Sequence, residues 1–552
     1  MLVIIFFLLF LITLYLSGNG LFNFFLVLRN KIFKKNKIFQ VDDLKFFRTS
    51  FPLIALFFIG NASIFLNFFI SINTFLSIFI ILFPIFFNFY NTKDIVDNLK
   101  LKNFDINRLI FRIFTASALS LSTYSTGLAY DAGLYHLNNQ YWIKSSSTVL
   151  GLSNLHIRYG YSSIIEYVST NFWIGNNLII LHFISLVFIY VFFDYMYLLL
   201  NNSKFKMQLF AIFVSIFGFL DNFGFGGGKN SFIEIQGIAK YDTSFAITFS
   251  LSAVSFLIYQ KNKNYKLIFN LFLLLSVFSM QMRPTGYLLL VFWIQALLSL
   301  LNQKEYLSTL KILTTYSSII MVNTVKNIMV SSCLIFPIEN LCIKSLRWYV
   351  PNSAINEQKS IKSALIGYLP FENIIIWFNR WIDKFPVNLN VSINLAFSLS
   401  LVFLLSFFLS KKTTKNNLPL ILLTSLYFLV WLTSAPDFRF FHVITILSIL
   451  IISHSRKYNS KLPVSFFNVI LFLSIFLMPR VDGYLKFIDE PFKQITINPP
   501  SIEYVERILG YGVEPLNDEE ICWVNIECIP RYSNLVKKDN LYNKMIFISY
   551  DK

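Results

Sequence analysis

The feature that most constrains this chain is a succession of long apolar stretches separated by short basic connectors. A helix that crosses a bilayer needs about 20 consecutive, mostly apolar residues. Such stretches recur near 2–28, 50–70, 73–91, 109–128, 177–200, 207–221, 243–260, 267–282, 285–301, 308–330, 388–410, 418–434, 439–454 and 463–479. Only 14% of the 552 residues are charged, against roughly a quarter in an ordinary soluble domain. Much of the chain therefore has no water to face. The expected fold class is all-α: a polytopic transmembrane bundle of about 12–14 spans. The stretches 267–282 and 285–301 are interrupted by Arg283-Pro284-Thr285-Gly286, which reads as a broken or re-entrant hairpin.

Orientation follows from the connectors. Arg29–Lys37, Lys93–Arg112, Lys204–Lys206, Lys261–Lys266, Lys411–Lys415 and Arg456–Lys461 are short and basic. All of them fall on one side under a single alternation of spans, and basic short loops mark the cytoplasmic side. This pattern accounts for the net charge of +18 without a nucleic-acid partner, because no basic face on a soluble domain is visible. The setting expected is a bacterial inner membrane. Met1 runs straight into an apolar stretch with no basic leader, so the start reads as a retained span and not as a cleaved signal peptide.

The opposite side then carries the loops 129–176, 222–241 and 331–387 and the stretch 480–552, where the long apolar runs end. Residues 1–479 are thus expected to form the membrane domain and 480–552 a small soluble appendage on the outer face. Chemically varied loops are the usual seat of function.

The first outer loop opens with AYDAGLYHLNNQYW, Ala129 to Trp142. On a helix, Asp131, Tyr135, Asn138 and Trp142 share a face, and His136 and Gln140 form a neighbouring pair. An acid beside a bilayer is costly unless it is used or paired. Asp131 is therefore a candidate catalytic or metal-binding carboxylate, with a helix-start acid as the structural alternative. In GLSNLHIRYGYSSIIEY, Gly151 to Tyr167, Asn154, His156 and Arg158 alternate, so an extended loop presents them on one side. His156 and Arg158 suit an anionic group such as a phosphate. Ser163 and Glu166 have capping-box spacing, which gives Glu166 a structural job.

In the second outer loop, Gly226-Gly227-Gly228-Lys229 lacks phosphate-loop spacing and reads as a turn. Asp242 stands at the lip of the next span, a second carboxylate at the same membrane surface. Two converging acids suit a base and a metal ligand. An N-cap role for Asp242 is the structural alternative. The third loop holds Cys333 and Cys342, and the C-terminal stretch holds Cys522 and Cys528. Each pair is close enough in sequence to close a small loop on the disulfide-permissive side. Tyr368, Trp377 and Trp381 mark a helix lying on the membrane surface. Asp437 is placed to cap the helix after Pro436, and Arg439 at the membrane edge is a phosphate clamp or the partner of Asp437.

Taken in order, YDAGLYHL, GLSNLHIRYGYSS, NIMVSSCLIFPIENLC with Trp348-Tyr349-Val350-Pro351, APDFRF, and Cys522-Trp523 with Cys528-Ile529-Pro530 span most of residues 120–532. On these motifs the chain resembles a poorly characterised family of bacterial multispanning proteins found with surface-polysaccharide genes and similar to the GT-C glycosyltransferase superfamily. The resemblance implies a GT-C-like bundle that moves a sugar from a polyprenyl-phosphate donor to a glycan or lipid acceptor on the outer face. Asp131 then matches the acid of the first outer loop, acting as general base or holding a divalent cation such as Mg2+ or Mn2+. Asp242 is the second acid. His156, Arg158, Arg283 and Arg439 are candidates for the lipid phosphate, and Tyr135, His136 and Asn154 complete the candidate substrate-binding set. Two departures stand out. Ala132, not a second acid, follows Asp131, and the span before that loop is about the fourth and not the first.

Two other classes fit the same loops. A polysaccharide polymerase or ligase would rely on arginines such as Arg347 and Arg380 in loop 331–387. A transporter of lipid-linked glycans would hold ionisable groups near mid-bilayer and show repeats. Here the charges lie mostly at span ends and no repeat is visible.

Overall fold

The structure is a computed structural model. It describes residues 1–33, 40–89, 105–228, 230–304, 306–365, 373–384, 386–412, 417–458, 463–507, 511–516, 521–525, 527–528, 536–541 and 544–549. Lys229, Tyr368, Ile529 and Pro530, and parts of the basic connectors 29–37, 93–112, 411–415 and 456–461, lie outside the described residues.

The described chain is mostly helical. Five helices are long and apolar enough to cross a membrane: Leu2–Val27, Ile179–Asn201, Asp242–Lys261, Pro284–Asn302 and Val387–Leu409. Two bent pairs, Val41–Thr49 with Phe51–Asn67 and Val464–Phe476 with Val481–Asp489, raise this to as many as seven. Hydropathy along the sequence pointed to about 12–14 spans. The difference has a physical source: several apolar stretches fold as helices shorter than a bilayer. Gln208–Asn222, Lys266–Met282, Leu418–Ser434 and His442–His454 run only 13–17 residues, or about 20–26 Å.

Two helices form the centre. Ile179–Asn201 and Asp242–Lys261 are buried along their whole apolar windows, whereas Leu2–Val27 and Val387–Leu409 turn most of theirs outward. The central helices carry their polarity inward. Ser252 Oγ pairs with Ser276 Oγ at 2.9 Å where Asp242–Lys261 packs on Lys266–Met282, the kind of small-residue contact that lets membrane helices approach closely. The outer helices expose Phe75, Phe397 and Phe408, which suits a lipid environment and not water.

The basic connectors gather at one end. Lys204 pairs with Asp42 at 2.7 Å, and Lys261 Nζ donates to the Lys206 carbonyl at 2.9 Å. Asp43 accepts from the Leu267 and Ile268 amides at 3.0 and 2.9 Å, capping Lys266–Met282 from a distant helix. Strand Ser410–Lys412 pairs antiparallel with Arg456–Tyr458. The same end holds an ion cluster that the sequence reading missed. Asp194, inside Ile179–Asn201, binds Arg108 at 2.8 Å and Arg112 at 2.7 Å.

At the other end the C-terminal stretch packs onto the first loop. Its hairpin Val536–Leu541 with Lys544–Ser549 is antiparallel, and Val536 and Phe547 pack against Trp142, Leu152 and Tyr159 of the first outer loop. Both cysteine pairs, Cys333–Cys342 and Cys522–Cys528, are disulfide-bonded. Trp377 and Trp381 stack at 5.8 Å in helix Ile374–Lys384. They are buried, while Ile374, Ile375 and Phe378 face outward. The helix therefore rests on its tryptophans and turns Ile374, Ile375 and Phe378 outward as one apolar face.

Candidate functional site

The site is built where three loop segments meet. Residues 127–129 run parallel to 237–238: the Ile238 amide donates to the Gly127 carbonyl at 3.1 Å, and the Ala129 amide to the Ile238 carbonyl at 3.4 Å. This short pairing brings Asp131 and the segment Glu234–Asp242 to one place. The third segment is the Pro436–Phe440 turn. Trp381 Nε1 donates to the Pro436 carbonyl at 2.9 Å and Trp431 Nε1 to the Asp437 carbonyl at 2.8 Å, so two buried tryptophans hold the turn.

The result is a cluster of four carboxylates and two guanidinium groups. Arg439 donates through Nε to Asp437 at 2.9 Å, and its Nη1 lies 3.8 Å from Asp131. Asp437 also accepts from the Arg439 amide at 2.9 Å, capping the single 3-10 turn Phe438–Phe440 and not the helix beyond it. Arg283 pairs with Asp242, with its guanidinium 4.8 Å from the centre of the Phe440 ring. Burial alone pulls Arg439 down, but Asp437 and Asp131 outweigh it and hold its pKa above the ordinary value.

Asp242 is the first residue of its helix and caps nothing through its side chain. Gln236 instead supplies both bonds at that helix start. Its Nε2 donates to Asp242 at 3.0 Å and its Oε1 accepts from the Thr243 amide at 3.1 Å. Gln236 Nε2 also reaches Glu234 at 3.0 Å, and His442 Nε2 stands 3.7 Å from that same carboxylate. Burial by itself raises Glu234, yet His442 and Gln236 hold its carboxyl below the usual range.

Asp131 and Asp242 thus share one cluster, but each faces a guanidinium. That donor set is neutralised from within and does not fit a divalent cation. Among the described residues no three His, Cys, Asp or Glu side chains converge as metal ligands. Asp131 remains partly open, with 31% of its side chain accessible, whereas Asp242 retains 6%.

The neighbouring residues have other occupations. Residues 132–136 form a π-turn leading into helix Leu137–Ser145, and such turns frequently mark functional sites. Tyr135 of this turn and Trp142 beyond it pack in one apolar cluster. Asn138 is fully buried and accepts from the Asn525 amide at 2.9 Å, and Trp142 is buried against Phe547. His136 Nδ1 pairs with Glu166, which also accepts from Gln140 Nε2 at 2.8 Å. Glu166 therefore binds across to the first loop and completes no capping box. Ser163 alone caps, accepting from the Ile165 amide at 3.3 Å.

The stretch from Asn154 to Arg158 is not extended. Two 3-10 turns, Leu152–Asn154 and Ile157–Tyr161, break the alternation, so the three residues do not share an open face. Asn154 donates to the carbonyls of Trp348 at 3.0 Å and Phe547 at 2.8 Å, tying three segments together. His156 lies against Tyr135 with ring centres 6.1 Å apart and near-parallel planes. Burial first, and Arg158 second, lower its pKa to about 3, so the ring is neutral. Arg158 binds Glu357 at 2.9 Å. Tyr135 links this group to the cluster, through the charges of Asp131, Arg158, Glu166 and Arg283 around its hydroxyl.

Glu234, Gln236 and Glu357 carry much of this geometry and were not singled out from sequence. A signal for the first two exists: Ile-Glu-Ile-Gln alternates over 233–236 just before Asp242, which puts Glu234 and Gln236 on one side of an extended segment.

No curated protein and no solved structure matches the chain. The family model of DUF8201, a domain of unknown function, matches residues 1–446, which contain every charged member of the cluster. The chain is a member of the DUF8201 family.

Proposed function

We propose that the protein is a membrane glycosyltransferase of GT-C type, acting at the outer face of a bacterial inner membrane. It takes a sugar from a polyprenyl-phosphate donor and passes it to a glycan or lipid acceptor. The observation that carries this reading is the cluster itself: one partly open acid, Asp131, beside paired acids and arginines at the end of the bundle opposite the basic connectors.

In this reading Asp131 takes the proton from the acceptor hydroxyl. The acceptor oxygen bonds to the anomeric carbon, the bond from that carbon to the phosphate oxygen breaks, and polyprenyl phosphate leaves with the electron pair. Arg439 is the guanidinium nearest the base and suits the charge that grows on the leaving phosphate. Asp242 holds Arg283 in place and is a positioning residue. No step runs through a metal.

The test is sugar transfer by the purified full chain in nanodiscs, from lipid-linked donors, comparing wild type with Asp131→Asn. Loss of a general base lowers such rates about 10²–10⁴-fold. A variant that still transfers at the wild-type rate removes the base and moves the polymerase reading, with Arg347 and Arg380, ahead.

A further inference from the structure

Beside the acid cluster lies a cavity of about 150 Å³ that the proposed reaction does not use. The extended segment 233–237 forms the wall between the two. Glu234 and Gln236 face the cluster, and Ile235 and Gly237 line the cavity, as alternation along an extended chain requires. The other lining groups that matter are Ser125, Thr126, Gly127, Gly227 and Arg480.

This lining has one sign. Arg480 supplies a guanidinium, and among the described residues no carboxylate pairs with it. Ser125 and Thr126 also line the space, Ser125 Oγ donating to the Ser122 carbonyl at 3.2 Å, and no carboxylate does. Arg480 contrasts in this with Arg283 and Arg439, both of which already face acids. Glycines at 127, 227 and 237 leave the walls bare of side chains, so a ligand meets backbone there.

The cavity also sits at a defined depth. Helix Val464–Phe476 is followed by Val481–Asp489 after a bend of 74°. The second helix packs inward through Tyr484 and Phe487, at 5.7 Å from Phe225 and 5.8 Å from Tyr124. Val481, Leu485 and Ile488 are exposed at the spacing of one helical face. A bent amphipathic helix with such a stripe suits the interfacial layer, and Arg480 immediately precedes its first turn.

We propose that this cavity is a phosphate-binding site, with Arg480 as its charge and Ser125 and Thr126 as its polar wall. A cationic, acid-free pocket suits an oxyanion, and its position at the headgroup layer suits the phosphate of an amphiphile. The proposal does not depend on the transferase reading.

The experiment titrates the full-length protein in detergent with dihexanoyl phosphatidic acid, with inorganic phosphate and with uncharged dihexanoyl glycerol, following thermal stabilisation. Two variants accompany the wild type. Arg480→Gln removes the charge. Gly127→Leu fills space, since a Cβ at Gly127 meets nothing within 4 Å and the residue has no positive φ. The expected result is stabilisation by the lipid phosphate and not by the glycerol analogue, with affinity at least tenfold weaker in both variants and their unliganded melting temperatures unchanged. Stabilisation by inorganic phosphate to the same extent supports the site and makes free phosphate its source. Equal binding by wild type and both variants, or no preference for phosphate over the uncharged analogue, overturns the proposal. Asp131→Asn run in parallel keeps the two readings apart: it leaves phosphate binding intact whether or not transfer is lost.

Discussion

The carboxylate of Asp131 lies 3.8 Å from the guanidinium of Arg439, the point at which the first outer loop meets the turn between two late helices. Arg439 is held from its other side by Asp437 at 2.9 Å, so one planar cation spans two acids. A lysine cannot do this, because its ammonium is a single point charge without a fork. Arg439→Lys is expected to slow sugar transfer about 10–100-fold, mainly through weaker binding of the lipid-linked donor, while stability changes by less than about 1 kcal/mol, since the pair is partly exposed. Transfer kinetics and a melting curve measure the two effects separately. A variant with wild-type kinetics would remove Arg439 from the phosphate role.

Asp194 tests the transport reading. It is a buried acid within an apolar helix, seven residues from the end at Asn201, or about 10 Å along the axis. Arg108 and Arg112 already saturate it, and Arg108 Nη2 also donates to Thr49 at 2.7 Å. This is the pattern of a structural clamp. Asp194→Asn is expected to cost about 3–5 kcal/mol by leaving the buried Arg108 and the partly buried Arg112 short of a partner, and to abolish accumulation of folded protein. Adding Arg112→Met should restore part of that loss. A well-folded Asp194→Asn protein that had lost only the movement of a lipid-linked glycan would favour a transporter instead.

The Cys522–Cys528 loop grips the site from above. The Trp523 amide donates to the Gly133 carbonyl at 3.0 Å, inside the π-turn between Asp131 and Tyr135. The contact is close: a Cβ at Gly133 would fall 2.6 Å from atoms of Ile521 and Trp523. Opening this short disulfide loop releases about 2 kcal/mol of constraint on the unfolded chain. Replacing both cysteines with serine should lower transfer several-fold while leaving helix content by circular dichroism unchanged. Unaltered transfer would show that the grip does not position Asp131.

His156 makes the outer loops acid-sensitive. Its folded pKa of about 3 lies below the ordinary 6.5, so the unfolded chain takes up a proton that the folded chain refuses. Stability is therefore fully present above 6.5 and falls as pH drops toward 3. The neutral ring is also needed where Nδ1 accepts from the Arg158 amide at 3.3 Å. His156→Asn, which cannot titrate, should be less stable than wild type near neutrality, and the gap should narrow steadily on acidification. A gap that stays constant with pH would mean that His156 is already charged or exposed.

Membrane character and the two cysteine pairings were legible because they depend on near neighbours. Apolar length is summed along short windows, and paired cysteines lie 9 and 6 residues apart. Asp131, Asp242, Arg283 and Arg439 were found for a similar reason: charge at the end of an apolar stretch is visible without a fold. Their arrangement was not. The spacing of Ser163 and Glu166 favoured a capping box, but a His and a Gln from another helix offered Glu166 better partners. The alternation of Asn154, His156 and Arg158 favoured an extended strip, but packing against the C-terminal hairpin wound it into 3-10 turns.

The sequence alone determined that this chain carries helices apolar enough for a membrane, because transfer free energy accumulates residue by residue. Only the tertiary structure decided which acid is open and which is neutralised. That depends on ion pairs between segments far apart in the chain, such as Asp242 with Arg283 and Asp131 with Arg439, and Coulomb energy is set by distances in space that no local spacing encodes.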